Sequence, residues 1–160
     1  MESQIKLYLE RAENEIVLSE TLFKISSDEK IQADVFSIDK ETTFYSAVIS
    51  HAYYCIFYSA KSYLLSKGIK TKSPREHSKT YLEFKKFAEE GVLDKELLDI
   101  YDEEFSKAEI LLKIFGEERK KRGQFTYEVL PQANKTPAKE SIEHGQKFFK
   151  MIYNLLREND

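Results

Sequence analysis

The sequence predicts an all-α fold, an antiparallel four-helix up-and-down bundle with one additional short helix. Three observations predict it. Apolar residues recur at spacings of three and four through four long segments, as on one face of a 3.6-residue helix. Helix-breaking or helix-starting groups separate those segments: Ser26-Ser27-Asp28, Gly68, Ser73-Pro74, Gly91 and Thr136-Pro137. No alternating apolar and polar run matches them in length or regularity. The 160 residues fit one domain, residues 1–160. A chain of this size buries about 68–70% of its unfolded surface, so it needs neither disulfides nor metal to hold together.

The first helix is expected over residues 3–23, with Ile5, Leu9, Ala12, Ile16 and Phe23 on one face. Residues 29–38 are compatible with a loop, a short helix or an irregular extension. The second helix is expected over residues 39–67, with Asp39 or Thr42 as its cap. Phe44, Val48, Ala52, Cys55 and Ser59 form one line. Ile49, Tyr53, Ile56, Ala60, Tyr63 and Leu64 form a broad second face. A helix apolar on several sides is expected at the centre of the bundle, and its small residues allow close approach. Gly68 ends it. Ser73-Pro74-Arg75-Glu76 fits the start of a short helix, with Ser73 as cap and Tyr81, Phe84 and Phe87 or Ala88 facing inward; Gly91 follows its end. The next long helix is expected over residues 94–115, with Leu97 or Leu98, Tyr101, Phe105, Ala108, Leu112 and Phe115 as its stripe. The charged run at residues 117–122 extends it or leaves it. Residues 123–135 read as an irregular connection, since Gly123 and Pro131 both oppose a helix. The last helix starts with Thr136 as cap and Pro137 at its first position, and its seam is Ala138, Ile142, Gly145, Phe149, Ile152 and Leu156.

The formal net charge of −3 argues against a protein that holds long nucleic acid by bulk charge, while leaving room for a local basic site. No segment is apolar and long enough for a transmembrane helix. The N-terminus has no basic leader followed by an apolar core. Cys55 is the single cysteine. It reads as a small buried hydrophobe in a reducing, cytoplasmic compartment.

Candidate chemistry is sparse. His51, His77 and His144 lie far apart in sequence, with no paired-ligand motif, so neither metal nor cofactor is expected. Arg119, Lys120, Lys121 and Arg122 concentrate positive charge ahead of Tyr127. Arginine pairs bidentately with phosphate and tyrosine offers a hydroxyl or a stacking surface, so these five are candidates for binding nucleotide or RNA. A charged helix end balanced by Glu117 and Glu118 explains the same residues. Spacings of three and four place His51, Tyr54 and Tyr58 on one side of the second helix. They suit a cleft, a dimer interface or a core whose hydroxyls turn toward water. His77, near the start of the short helix, is a candidate for the same cleft or interface, and also suits a proton carrier or a capping or packing role.

The run Ala52-Tyr53-Tyr54-Cys55-Ile56-Phe57-Tyr58-Ser59-Ala60-Lys61, with Leu64-Leu65-Ser66-Lys67-Gly68 after it, resembles the second-helix signature of HEPN domains. Ser73-Pro74 and His77 are similar to the stretch that follows that helix. The resemblance extends over residues 9–156 and is strongest over residues 45–87. It implies a mostly antiparallel helical bundle that forms a homodimer. Many relatives sit beside a small nucleotidyltransferase, often as toxin and antitoxin. Active relatives are metal-independent ribonucleases whose motif is an arginine followed after four to six residues by a histidine. By that resemblance Arg122 takes the arginine position, and the pair Arg122 and Tyr127 becomes the catalytic candidate. Tyr127 stands where the histidine would be, and no histidine follows before His144. Tyrosine, with a reference pKa near 10, is a poor general base at pH 7. The resemblance therefore favours a homodimeric interaction or nucleotide- or RNA-binding module, paired with a small nucleotidyltransferase. A metal-independent endoribonuclease of a toxin–antitoxin system and a purely structural adaptor are the alternatives.

Overall fold

The computed structural model describes residues 2–112 and 135–158. Helix α1 spans Ser3–Ser27, α2 Tyr45–Ser66, α3 Glu76–Glu89, α4 Lys95–Leu112 and α5 Lys135–Arg157, with a π-helical turn at Ile31–Val35. No strand occurs among the described residues. The four long helices pack as a bundle with α3 beside them. Helices α1 and α2 run antiparallel, as do α4 and α5. Along α1, Tyr8, Glu15 and Phe23 meet Tyr58, His51 and Tyr45 in turn. Lys107, Glu104 and Glu96 of α4 likewise meet Glu140, His144 and Lys147 of α5.

The central helix is α2. Tyr53, Ile56 and Leu64 are buried, as are Val48, Ala52, Cys55 and Ala60 along its length. Tyr53, Phe84, Tyr101 and Phe148 bring α2, α3, α4 and α5 into one core. A second cluster joins Ala12 and Ile16 to Val48, Ala52, Ala138 and Ile142. Between α5 and α2 the backbones come close. A Cβ at Gly145 would lie 2.8 Å from Ile16 Cδ1 and 3.3 Å from the Ala52 carbonyl oxygen, and the Cys55 thiol donates to the Gly145 carbonyl at 3.7 Å. The expected seam of α5 is buried at Ala138, Ile142, Gly145, Ile152 and Leu156, but Phe148 fills the core where Phe149 is only half-buried.

Helix boundaries differ from expectation for local reasons. Helix α1 continues to Ser27 because Ser26 is buried and useful there. Its hydroxyl accepts the Phe44 amide at 2.7 Å, and its carbonyl accepts the Tyr45 hydroxyl at 3.2 Å. The ambiguous stretch after it is a turn started by Asp28, whose carboxylate accepts the amides of Lys30 and Ile31. Gln32, 1% exposed, fastens that turn by donating to the Thr42 carbonyl at 2.7 Å. Helix α2 begins at Tyr45, not at residue 39. Asp39 spends its carboxylate on the Glu41 amide and its carbonyl on the Thr42 amide, which makes a turn instead of a cap. The α2 terminus behaves as its glycine predicts. Gly68 has φ of 75°, and the Ile69 and Gly68 amides donate back to Leu64 and Leu65. Helix α3 starts at Glu76 because Arg75 sits in the left-handed region with φ of 58°, so Ser73 is not its cap. Lys135, placed by sequence in the connection, is already the first residue of α5. Residues 113–134, including the expected end of the fourth helix at Phe115 and the connection after it, lie outside the described residues.

Candidate functional site

Residues three and four apart on α2 turn an aromatic strip toward the seam between α1 and α3. The Tyr54 ring lies 6.2 Å from His51, 6.4 Å from Tyr58 and 5.9 Å from His77. His51, Tyr54, Tyr58 and His77 are all half-buried. The first three come together through helical spacing alone. His77 joins them because the turn after α2 returns the chain and sets the start of α3 against it. Its ring stacks on Phe57 at 4.1 Å, and its Nδ1 shares a hydrogen bond with the Tyr53 hydroxyl at 2.8 Å.

Helix α1 supplies charge to this strip. Glu15 meets His51 Nδ1 at 2.6 Å and accepts a hydrogen bond from Arg11 Nε at 3.2 Å. The Arg11 guanidinium in turn lies 5.1 Å over the Tyr58 ring, and its side chain is 58% exposed. Tyr8 stacks on Tyr58 with a 6.3 Å centroid separation. At the far end the Lys61 ammonium pairs with Glu76 and sits 4.7 Å from the Tyr8 ring centre. A cavity of about 130 Å³ opens there, lined by Gln4, Tyr8, Lys61, Thr71, Lys72 and Glu76 among others.

The protonation states follow from the surroundings. Burial holds the His77 imidazole below the usual histidine range; the Lys61 ammonium adds to this and Glu76 opposes it. His77 is thus neutral at pH 7. Burial first, then Tyr58 and Glu15, raise the Tyr54 hydroxyl, which therefore stays protonated and able to donate. Burial pulls Lys61 down, but its hydrogen bonds with Glu76 and Tyr8 outweigh that and keep it charged. The strip thus offers stacking faces, neutral donors and two cations, a set that suits a planar base with a phosphate.

The other sequence candidates, Arg119, Lys120, Lys121, Arg122 and Tyr127, lie outside the described residues. Sequence reasoning also left out Arg11, Glu15, Tyr8 and the Lys61–Glu76 pair. Only packing of α1 and α3 against α2 brings them to the strip, so no local spacing announces them.

No helix among the described residues is long and apolar enough to cross a membrane. Comparisons with curated proteins and with solved structures gave no match. A protein-family model described as HEPN domain matches residues 31–158, a span that holds α2 to α5 and the His77 end of the strip. With most of its length matched, and with the helices in the order that the second-helix signature implies, the chain belongs to the HEPN domain family.

Proposed function

We propose that this chain is a homodimeric nucleotide- or RNA-binding module that works with a small nucleotidyltransferase. The observation that carries the reading is the half-exposed strip Tyr54, Tyr58 and His77 with Arg11 and Lys61 at its ends. Unstacked bases bind aromatic faces of this kind, and guanidinium or ammonium groups beside them meet the phosphates. Arg119 to Arg122 add further cations in sequence, with Arg122 and Tyr127 for orienting a phosphate. Leu7, Val17 and Leu18 of α1 remain exposed and give a second copy apolar surface to cover.

Fluorescence anisotropy with labelled single-stranded RNA tests the reading. Base stacking on an aromatic side chain contributes about 1–3 kcal/mol, so Tyr54→Ala and Tyr58→Ala should each weaken binding roughly tenfold. Failure of the wild-type chain to bind RNA or nucleotide, or unchanged affinity in both folded variants, rejects the assignment.

A second reading, metal-independent RNA cleavage, is favoured by one observation, the half-buried His77 ring 5.9 Å from the Tyr54 ring. In that reaction the ribose 2′-hydroxyl attacks the adjacent phosphorus, and the 5′-oxygen leaves. His77 takes the hydroxyl proton, Arg122 stabilises the charged phosphorane, and Tyr127 donates to the leaving oxygen. Cleavage should persist in chelator and disappear in His77→Ala and Arg122→Ala. Equal residual cleavage in both variants excludes these roles.

A further inference from the structure

Glu104 of α4 is a carboxylate with 0% exposure. Its Oε1 accepts from His144 Nδ1 of α5 at 2.8 Å and from the Lys107 ammonium at 2.9 Å. Its Oε2 is buried and has no hydrogen-bond partner among the described residues. Leaving a buried carboxylate oxygen without a hydrogen bond costs about 1–3 kcal/mol, so such a group calls for an explanation. Glu103 turns into the same place, with its Oε2 3.9 Å from His144 Nδ1. Glu140, 3.9 Å from Lys107, adds a third carboxylate nearby. Counting Glu103, Glu104 and Glu140 against Lys107 leaves a local charge deficit that one ammonium does not cover.

We propose that Glu103, Glu104 and His144 form a binding site for a divalent cation of the zinc type. One ligand atom from each lies within 4.8 Å of the others. Tetrahedral zinc with oxygen and nitrogen ligands near 2.0–2.2 Å holds them about 3.3 Å apart. The existing separations of 2.8 Å and 3.9 Å from His144 Nδ1 bracket that value, so in the neutral tautomer that carries its hydrogen on Nε2, with Nδ1 free to ligate, small side-chain adjustments assemble three ligands. One imidazole nitrogen and two carboxylates suit a borderline cation better than a purely oxygen-seeking one. A solvent molecule supplies the fourth position, since Glu103 and His144 are partly exposed. Lys107 is the resident cation that the metal replaces, and Glu140 is the carboxylate that receives the displaced ammonium. The site joins α4 to α5 and so clamps the two helices that bracket residues 113–134 in sequence. Its role is structural, and it is separate from the aromatic strip.

Titration calorimetry of the chelator-treated full chain with zinc chloride tests the site, with cobalt(II) absorption as a spectroscopic check. One zinc ion should bind per chain and raise the melting temperature. Losing even an outer-shell partner typically lowers metal affinity 10–100-fold, so His144→Gln should weaken binding by at least about tenfold. Lys107→Gln, which removes the competing ammonium, should tighten it, while His51→Gln should leave it unchanged. Circular dichroism checks that each variant is folded. Absence of stoichiometric zinc binding, wild-type affinity in folded His144→Gln, or no tightening in Lys107→Gln overturns the proposal.

Discussion

Holding His77 as a neutral imidazole makes the protein sensitive to mild acid. Burial lowers its folded pKa beneath the unfolded value near 6.5. As pH falls through that window the unfolded chain takes up a proton that the folded chain resists, so the folded state loses stability. The urea midpoint should therefore drop between pH 7.5 and pH 5. His77→Gln, which cannot titrate, should flatten the part of that slope due to this residue; an unchanged slope contradicts it. Gln32 gives a second prediction at this scale. Gln32→Ala removes the donor to Thr42 and empties a buried volume, so stability should fall by about 1–3 kcal/mol in denaturant titration. Polar residues of this sort were not legible in the sequence. Nothing in the order of residues separates buried Gln32 and Glu104 from their wetted neighbours, because the groups that satisfy or confront them come from other segments. By contrast His51, Tyr54 and Tyr58 could be grouped from spacing alone, since one helix carries all three.

Helix to helix, the closest approach is at Gly145. Alanine there gains about 1 kcal/mol of helix propensity, yet overpacking a filled core costs about 1–3 kcal/mol. The added methyl meets Ile16 Cδ1, which can yield, and the Ala52 carbonyl, which cannot move without α2. Gly145→Ala should therefore lower stability by about 1 kcal/mol. Ile16→Val removes the clashing Cδ1, so the double variant should be more stable than the sum of the two changes predicts. Strict additivity in a double-mutant cycle would show that Ile16 does not confine this position. The repeat Ala138, Ile142, Gly145, Phe149, Ile152 and Leu156 made this helix legible, because burial selects small or apolar groups once per turn, although Phe148 takes the core place read for Phe149. Boundaries were harder. Asp39 looks like a cap, but a carboxylate beside a free amide serves a tight turn equally well, and α2 starts only at Tyr45.

Across the whole molecule, Phe148 and Phe84 connect the faces of α2, α3, α4 and α5. Phe148→Ala should cost about 3–5 kcal/mol. For a chain of this size that lowers Tm by roughly 10 °C, measurable by calorimetry, and a loss under a few degrees would show that the core collapses around the gap. The all-helical architecture was legible because it depends on repeated patterns that many residues share. The candidate site was legible in its α2 residues and in His77, while Tyr8, Arg11, Glu15 and Glu76 depend on which helices become neighbours. His51 with Glu15 spans α1 and α2, His77 with Tyr53 spans α3 and α2, and His144 with Glu104 spans α5 and α4. Each imidazole is therefore a resident probe of a different helical joint. Three ring-nitrogen resonances, followed during heating or ligand addition, would tell which joint loosens first without any attached label.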